Sequence, residues 1–366
     1  MTIGFVLAAM VGALFLEPSF ARAEDLPRAI SDGEFWRIVT EFSEQDGRFQ
    51  QEYMSNEDSA QFVIPALKKT ARQGGVYVGV GPEQNFTYIA VLQPKIAFVI
   101  DIRRDNMLEH LMYKALFELS TDRADFVSRL FSRKRPVGLS ANSSVTALFD
   151  AYQGAAADVT LYEANVRAVM DRLIGEHGFP LSEADQVRLT AIMNTFRQAG
   201  PYALTGTGDR NRTYAQLMAA SDLEGRGQSY LASEENFRWV QAFERQNLIV
   251  PVVGDFAGGK AIISIGRYLK EHDATVNVFY VSNVERYLFE QGDHGKRFYA
   301  NVAALPLEPS STFIRSVTVD ISRRLGIPIP DAAANWRSFL FPISDCLKAV
   351  TDGRIQTYRD LFEGVR

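Results

Sequence analysis

Residues 75–106 constrain this chain more than any other stretch. Val76-Tyr-Val-Gly-Val80 is a β-branched and aromatic run, as expected of a strand buried on both faces. The run breaks at a turn, Gly79 to Pro82, continues through a helical stretch and returns as a second apolar run, Ile96 to Ile100, which ends on Asp101. That order predicts strand, turn, helix and strand. Gly79 and Gly81 would let the backbone approach a ligand, and the helix N-terminus beyond them offers free amides. Asp101 lies 101 − 81 = 20 residues past the second glycine, where an acid can accept hydrogen bonds from both hydroxyls of a ribose. The same residues also suit a ligand-free strand–helix turn, so glycines, strand and acid carry meaning only together.

A nicotinamide or flavin dinucleotide is disfavoured. The third glycine of that fingerprint is missing, with Asn85 and Phe86 in its place, and Glu83 puts an acid where a pyrophosphate wants positive charge.

With 366 residues, 46% hydrophobic and 23% charged, the chain is long enough for one elaborated α/β domain or two smaller ones. A net charge of −5 argues against nucleic acid as a partner. One cysteine, Cys346, allows no internal disulfide, and the four histidines are too scattered in sequence to suggest a metal site. Residues 3–16 form an uncharged apolar run followed by Ala21-Arg-Ala23, a signal-peptidase pattern with no basic residue before it. The expectation is cleavage after Ala23 and a periplasmic or secreted chain with no stable membrane span, the alternative being an uncleaved anchor.

After the signal, residues 24–75 read as N-terminal helices at 32–42 and 59–72, with Ser31 or Asp32 as the first cap. Residues 76–136 read as the first part of the sheet domain, with helices at 106–119 and 122–131. Residues 137–234 shift in composition and suggest a helical insertion or lid, with Ser182 capping its second long helix. Residues 235–366 resume the alternation, with strands at 247–253, 276–281 and 312–319. Alternating strands and helices predict a mostly parallel, doubly wound sheet. The basic run Arg133-Lys-Arg135 reads either as a helix end or, with Arg103 and Arg104, as an anion site.

Three elements resemble, in order, those of class I S-adenosylmethionine-dependent methyltransferases: Gly79-x-Gly81 with Asp101, then Gly254-Asp255, then Tyr280-Val-Ser282-Asn283. The resemblance covers under half of the mature chain and implies a methyltransferase-like Rossmann domain with S-adenosylmethionine as cofactor and no metal. It implies Gly79, Gly81, Glu83, Asn85, Asp101, Arg103 and Asp255 as cofactor residues. Within that set Glu83 would meet the ligand ammonium, Asp101 the ribose and Asp255 the adenine amine. Ser282, Asn283 and Tyr287 would orient a small or lipid-like acceptor. Asp255, Ser282 and Asn283 suit helix capping equally well. No Asn-Pro-Pro-Tyr motif and no nucleophile–base pair identifies the acceptor chemistry. Export conflicts with a cytosolic cofactor, so the expectation stands between a transferase and an exported, non-catalytic binding or scaffold protein on the same fold.

Overall fold

A computed structural model describes residues 25–50, 52–71, 74–205, 212–326 and 335–362. The proposed signal, residues 1–23, lies outside the described residues.

The strands are β1 (Val76–Val80), β2 (Ile96–Asp101), β3 (Ile249–Val253), β4 (Val276–Ser282), β5 (Leu307–Thr318) and β6 (Trp336–Pro342). They form one six-stranded sheet in the order β3-β2-β1-β4-β5-β6. The first five are parallel, and β6 runs antiparallel to β5. The expected mostly parallel α/β sheet is therefore present. Every residue of β1, β2 and β3 is buried, which is why these strands read as unbroken apolar runs rather than alternating ones.

Side chains of β4 alternate between two aromatic clusters. Tyr280 meets Tyr88 of helix Gln84–Leu92 on one face, while Phe279 meets Phe256, Phe298 and Phe313 on the other. Helix Arg104–Leu119 joins the first face and packs against helices Glu183–Ala199 and Glu234–Arg245. Helices Ala261–Glu271, His294–Ala303 and Ile343–Thr351 form the second layer.

Several boundaries differ from the sequence expectation for local reasons. Helix 59–72 is broken into a turn at Ala60–Val63 and a helix at Ile64–Thr70, because Pro65 has no amide hydrogen to continue the first hydrogen-bond ladder. In the insertion, helix Val159–Met170 runs on into a wider π-type turn at Asp171–Glu176. Ser31 caps the first helix, and Ser182 forms a capping box with Asp185. Strand β6, absent from the sequence expectation, is a half-buried edge strand.

Residues 43–50 and 52–59 form a strap along the carboxyl ends of the parallel strands. At one edge of the sheet, Glu44 N–H donates to the Val253 carbonyl at 2.8 Å and Ser43 Oγ accepts from Val253 N–H at 2.9 Å. Near the other edge, Asp58 accepts from Asn335 and Trp336 N–H at 2.6 and 2.9 Å, and Ser59 Oγ donates to the Trp336 carbonyl at 2.5 Å. Five inter-strand steps of about 4.8 Å make about 24 Å, a distance this length of extended chain easily spans. The strap thus covers both edges while crossing the region where an open α/β sheet leaves a crevice.

Candidate functional site

The crevice is a cavity of about 230 Å³ under the strap. Its floor comes from the ends of four strands: Val80 of β1 and Gly81 after it, Asp101 of β2, Gly254 and Asp255 after β3, and Tyr280 and Ser282 of β4. The strand order reverses between β1 and β4, because the chain leaves β1 for β2 on one side and enters β4 on the other. Adjacent loops diverge there, so the opening follows from topology.

Of the residues singled out in the sequence, Gly81, Asp101, Arg103, Asp255, Ser282, Asn283 and Tyr287 line this cavity. Gly79, Glu83 and Asn85 do not line it; they build the wall behind it. Asn85 Nδ2 donates to the carbonyls of Val80, Gly81 and Pro82 at 3.0, 3.1 and 2.7 Å, and its Oδ1 accepts from Tyr77 Oη at 2.9 Å. A turn at a buried strand end needs a donor for its carbonyls, and Asn85 supplies it. A Cβ on Gly79 would lie 1.9 Å from Asn85 Oδ1, so the close approach that requires glycine here is to Asn85. Gly81 has φ of +76°, the left-handed turn conformation, with nothing within 4 Å of where a Cβ would stand. Glu83 is fully buried and accepts from Ser55 N–H with both oxygens, at 3.1 and 3.0 Å. Burial raises its pKa to about 7.

Asp101 and Arg103 form a buried ion pair within the wall. Asp101 Oδ1 accepts from the Arg103 amide at 2.8 Å and from Arg103 Nε at 3.1 Å, and Oδ2 accepts from Nη2 at 3.3 Å. Arg103 also donates to the Glu52 carbonyl at 3.1 Å, which fixes the strap. Asp255 Oδ1 accepts from Ala257 N–H at 2.9 Å, closing a tight turn rather than capping a helix, and the carboxyl borders the cavity. The helix that follows starts at Ala261, where Glu44 of the strap accepts from Lys260 and Ala261 N–H at 2.8 and 3.0 Å. Ser282 Oγ donates to Glu57 Oε1, whereas Asn283 and Tyr287 make no side-chain hydrogen bond among the described residues.

Residues 43–50 and 52–58, which carry no recognisable motif, supply the roof: Arg48, Phe49, Glu52 and Glu57 all line the cavity. Phe49 meets Tyr287 edge-on at 4.9 Å, closing the roof against the helix after β4. Burial raises the carboxyl pKa of both Glu52 and Glu57. The only sequence signal was a polar stretch without periodicity between two apolar helices.

Among the described residues, the helical insertion contributes nothing to the cavity wall. Helix Glu183–Ala199 packs on the sheet-covering helices, with Arg104 and Asp185 paired at 2.6 Å. The five cations considered as an anion site are spent separately: Arg103 on Asp101, Arg104 on Asp185, Lys134 on Asp158, Arg135 on Asp122, and Arg133 on backbone carbonyls. Among the described residues no helix is long and apolar enough to cross a membrane, and no three metal-binding side chains converge.

Residues 53–363 match the family described as a domain of unknown function, DUF7790, and since this is most of the chain the protein belongs to that family. Comparison with curated proteins gives no match.

Proposed function

We propose that this member of the DUF7790 family binds S-adenosylmethionine, or a related nucleoside, in the cavity at the carboxyl ends of β1 to β4, on a methyltransferase-like Rossmann domain. One observation supports the reading above the rest: the glycine turn, Asp101 and Asp255 lie far apart in sequence yet border one cavity at the reversal of strand order. The residues present suit such a ligand. Gly81 leaves the floor open, Asp101 retains lone pairs for ribose hydroxyls beside Arg103, and Asp255 has an oxygen free of its turn hydrogen bond for an amine. Ile102 and Phe256 supply apolar surface for a purine between those acids.

When bound, S-adenosylmethionine supplies an electrophilic methyl group on a sulfonium. What the chain then contributes is positioning and exclusion of water by the strap, with the free amide of Asn283 and hydroxyl of Tyr287 available to orient a small or lipid-like acceptor. Export belongs to the same proposal. A chain beginning at Glu24 in an extracytoplasmic fraction would meet no cytosolic cofactor and would favour the non-catalytic binding role.

The test is calorimetric titration of the full chain with S-adenosylmethionine and S-adenosylhomocysteine. Binding on the order of micromolar is expected, weakened at least tenfold in Asp101→Asn, because a hydrogen bond to a charged group contributes about 1.5–3 kcal/mol. No binding to the folded protein, or equal binding by the variant, would reject the assignment.

A further inference from the structure

We propose that Glu57 is the counter-charge for an alkylammonium group, which makes the β4–β5 end of the cavity an ammonium subsite. The inference rests on the reading of this cavity as the ligand site. Glu57 is 4% exposed and forms part of the cavity lining. Its oxygens accept from two neutral hydroxyls, Ser282 Oγ and, at 2.5 Å, Ser316 Oγ. No lysine, arginine or histidine pairs with it among the described residues. The titratable groups coupled to it include Glu52, Tyr77, Tyr88, Tyr280 and Tyr358, while of the two cations in the cavity lining Arg103 is paired with Asp101 and Arg48 forms no ion pair with Glu57.

A carboxylate held so deeply without a cation is costly, and a ligand that brings one recovers that cost. The serine hydroxyls orient the carboxylate while leaving each oxygen a further lone pair for N–H donors. Around it the lining is acidic: Arg48 and Arg103 oppose Glu52, Glu57, Asp101 and Asp255, a formal balance of 2 − 4 = −2. It is also aromatic, with Phe49, Tyr280 and Tyr287 on the same surface, and ring faces attract alkylammonium ions. Carboxylate, negative balance and aromatic rings all favour the same ligand chemistry. The ammonium belongs either to the amino-acid tail of the nucleoside or to a separate amine acceptor.

The experiment titrates full-length wild type and Glu57→Gln with S-adenosylmethionine, S-adenosylhomocysteine, 5′-methylthioadenosine (which lacks the amino-acid tail) and n-butylamine. If the tail supplies the ammonium, the first two ligands weaken at least tenfold in the variant and 5′-methylthioadenosine does not change. If a separate amine supplies it, the nucleosides are unaffected and saturable butylamine binding is lost. A wild-type measurement guards against a folding defect in the variant. Because only the ionised carboxylate pairs with ammonium and burial raises the Glu57 pKa, affinity for butylammonium must rise as pH rises through that elevated pKa. Equal binding of all probes by both proteins, or equal weakening of 5′-methylthioadenosine, overturns the proposal. Should the wild type bind no nucleoside, the cofactor reading fails while the butylamine arm still decides for or against Glu57.

Discussion

Two buried carboxylates flank strand β5, one on each face, and the chain treats them oppositely. Arg315 and Ser316 are neighbours on β5 and so point to opposite sides of the sheet. On one side Arg315 binds Glu285 through Nε at 2.5 Å and Nη2 at 3.0 Å, donates to Tyr299 Oη at 2.9 Å and lies over the rings of Phe313 and Phe341. On the other side Ser316 gives Glu57 only a hydroxyl. Glu285 is 1% exposed and Glu57 4%, so burial does not distinguish them. Access does: Glu57 borders the cavity and Glu285 does not. A buried charge neutralised inside the fold belongs to stability, whereas one left without a cation beside an opening is free for a ligand.

Removing Glu285 should have the largest effect. Glu285→Ala strands Arg315 in the core and should cost about 3–5 kcal/mol in urea denaturation, with ligand affinity in the folded protein unchanged. An equal loss of ligand binding would break the division between the two sides.

A third carboxylate sharpens it through pH. Glu83 has a backbone amide but no cation as partner, and its pKa stands at about 7 in the folded chain against an ordinary 4.5. The folded state therefore holds the proton more tightly. The associated stability is complete below pH 4.5 and is lost as pH rises through about 7, an effect of about 3 kcal/mol. Burial raises Glu244 in the same direction, to about 8. Thermal unfolding should thus occur at higher temperature at pH 5 than at pH 8, and Glu83→Gln should flatten the difference.

The smallest change is expected for Glu57→Gln in the absence of ligand. Its amide can replace the carboxylate among rotatable hydroxyls, so stability at pH 5 should stay within about 1 kcal/mol of wild type. A loss as large as that of Glu285→Ala would mean that Glu57 is structural.

How legible the molecule is from sequence follows the same physics. Strands β1 to β4 are visible because a sheet covered on both faces demands continuous apolar runs, and the polar residues that end them, Asp101, Asp255 and Ser282, mark the cavity floor. The long helices 104–119 and 183–199 declare themselves by period and caps. The strap is not visible. Its path is set by single long-range bonds, Glu44 to Val253, Ser55 to Glu83 and Asp58 to Trp336, and such bonds leave no periodic trace. For the same reason Glu52 and Glu57 escape a reading that looks only at strand ends. Gly79, Glu83 and Asn85 show the converse: polar and glycine residues around a turn resemble a ligand set, while buried turn carbonyls and a strap amide occupy them.

The most direct test of the central claim is a crystal structure of the full chain with S-adenosylhomocysteine. Density for the nucleoside is expected in the cavity between Gly81, Asp101 and Asp255, under the strap. Ligand found at any other place on a protein that is saturated in solution, with this cavity holding only water, would contradict it.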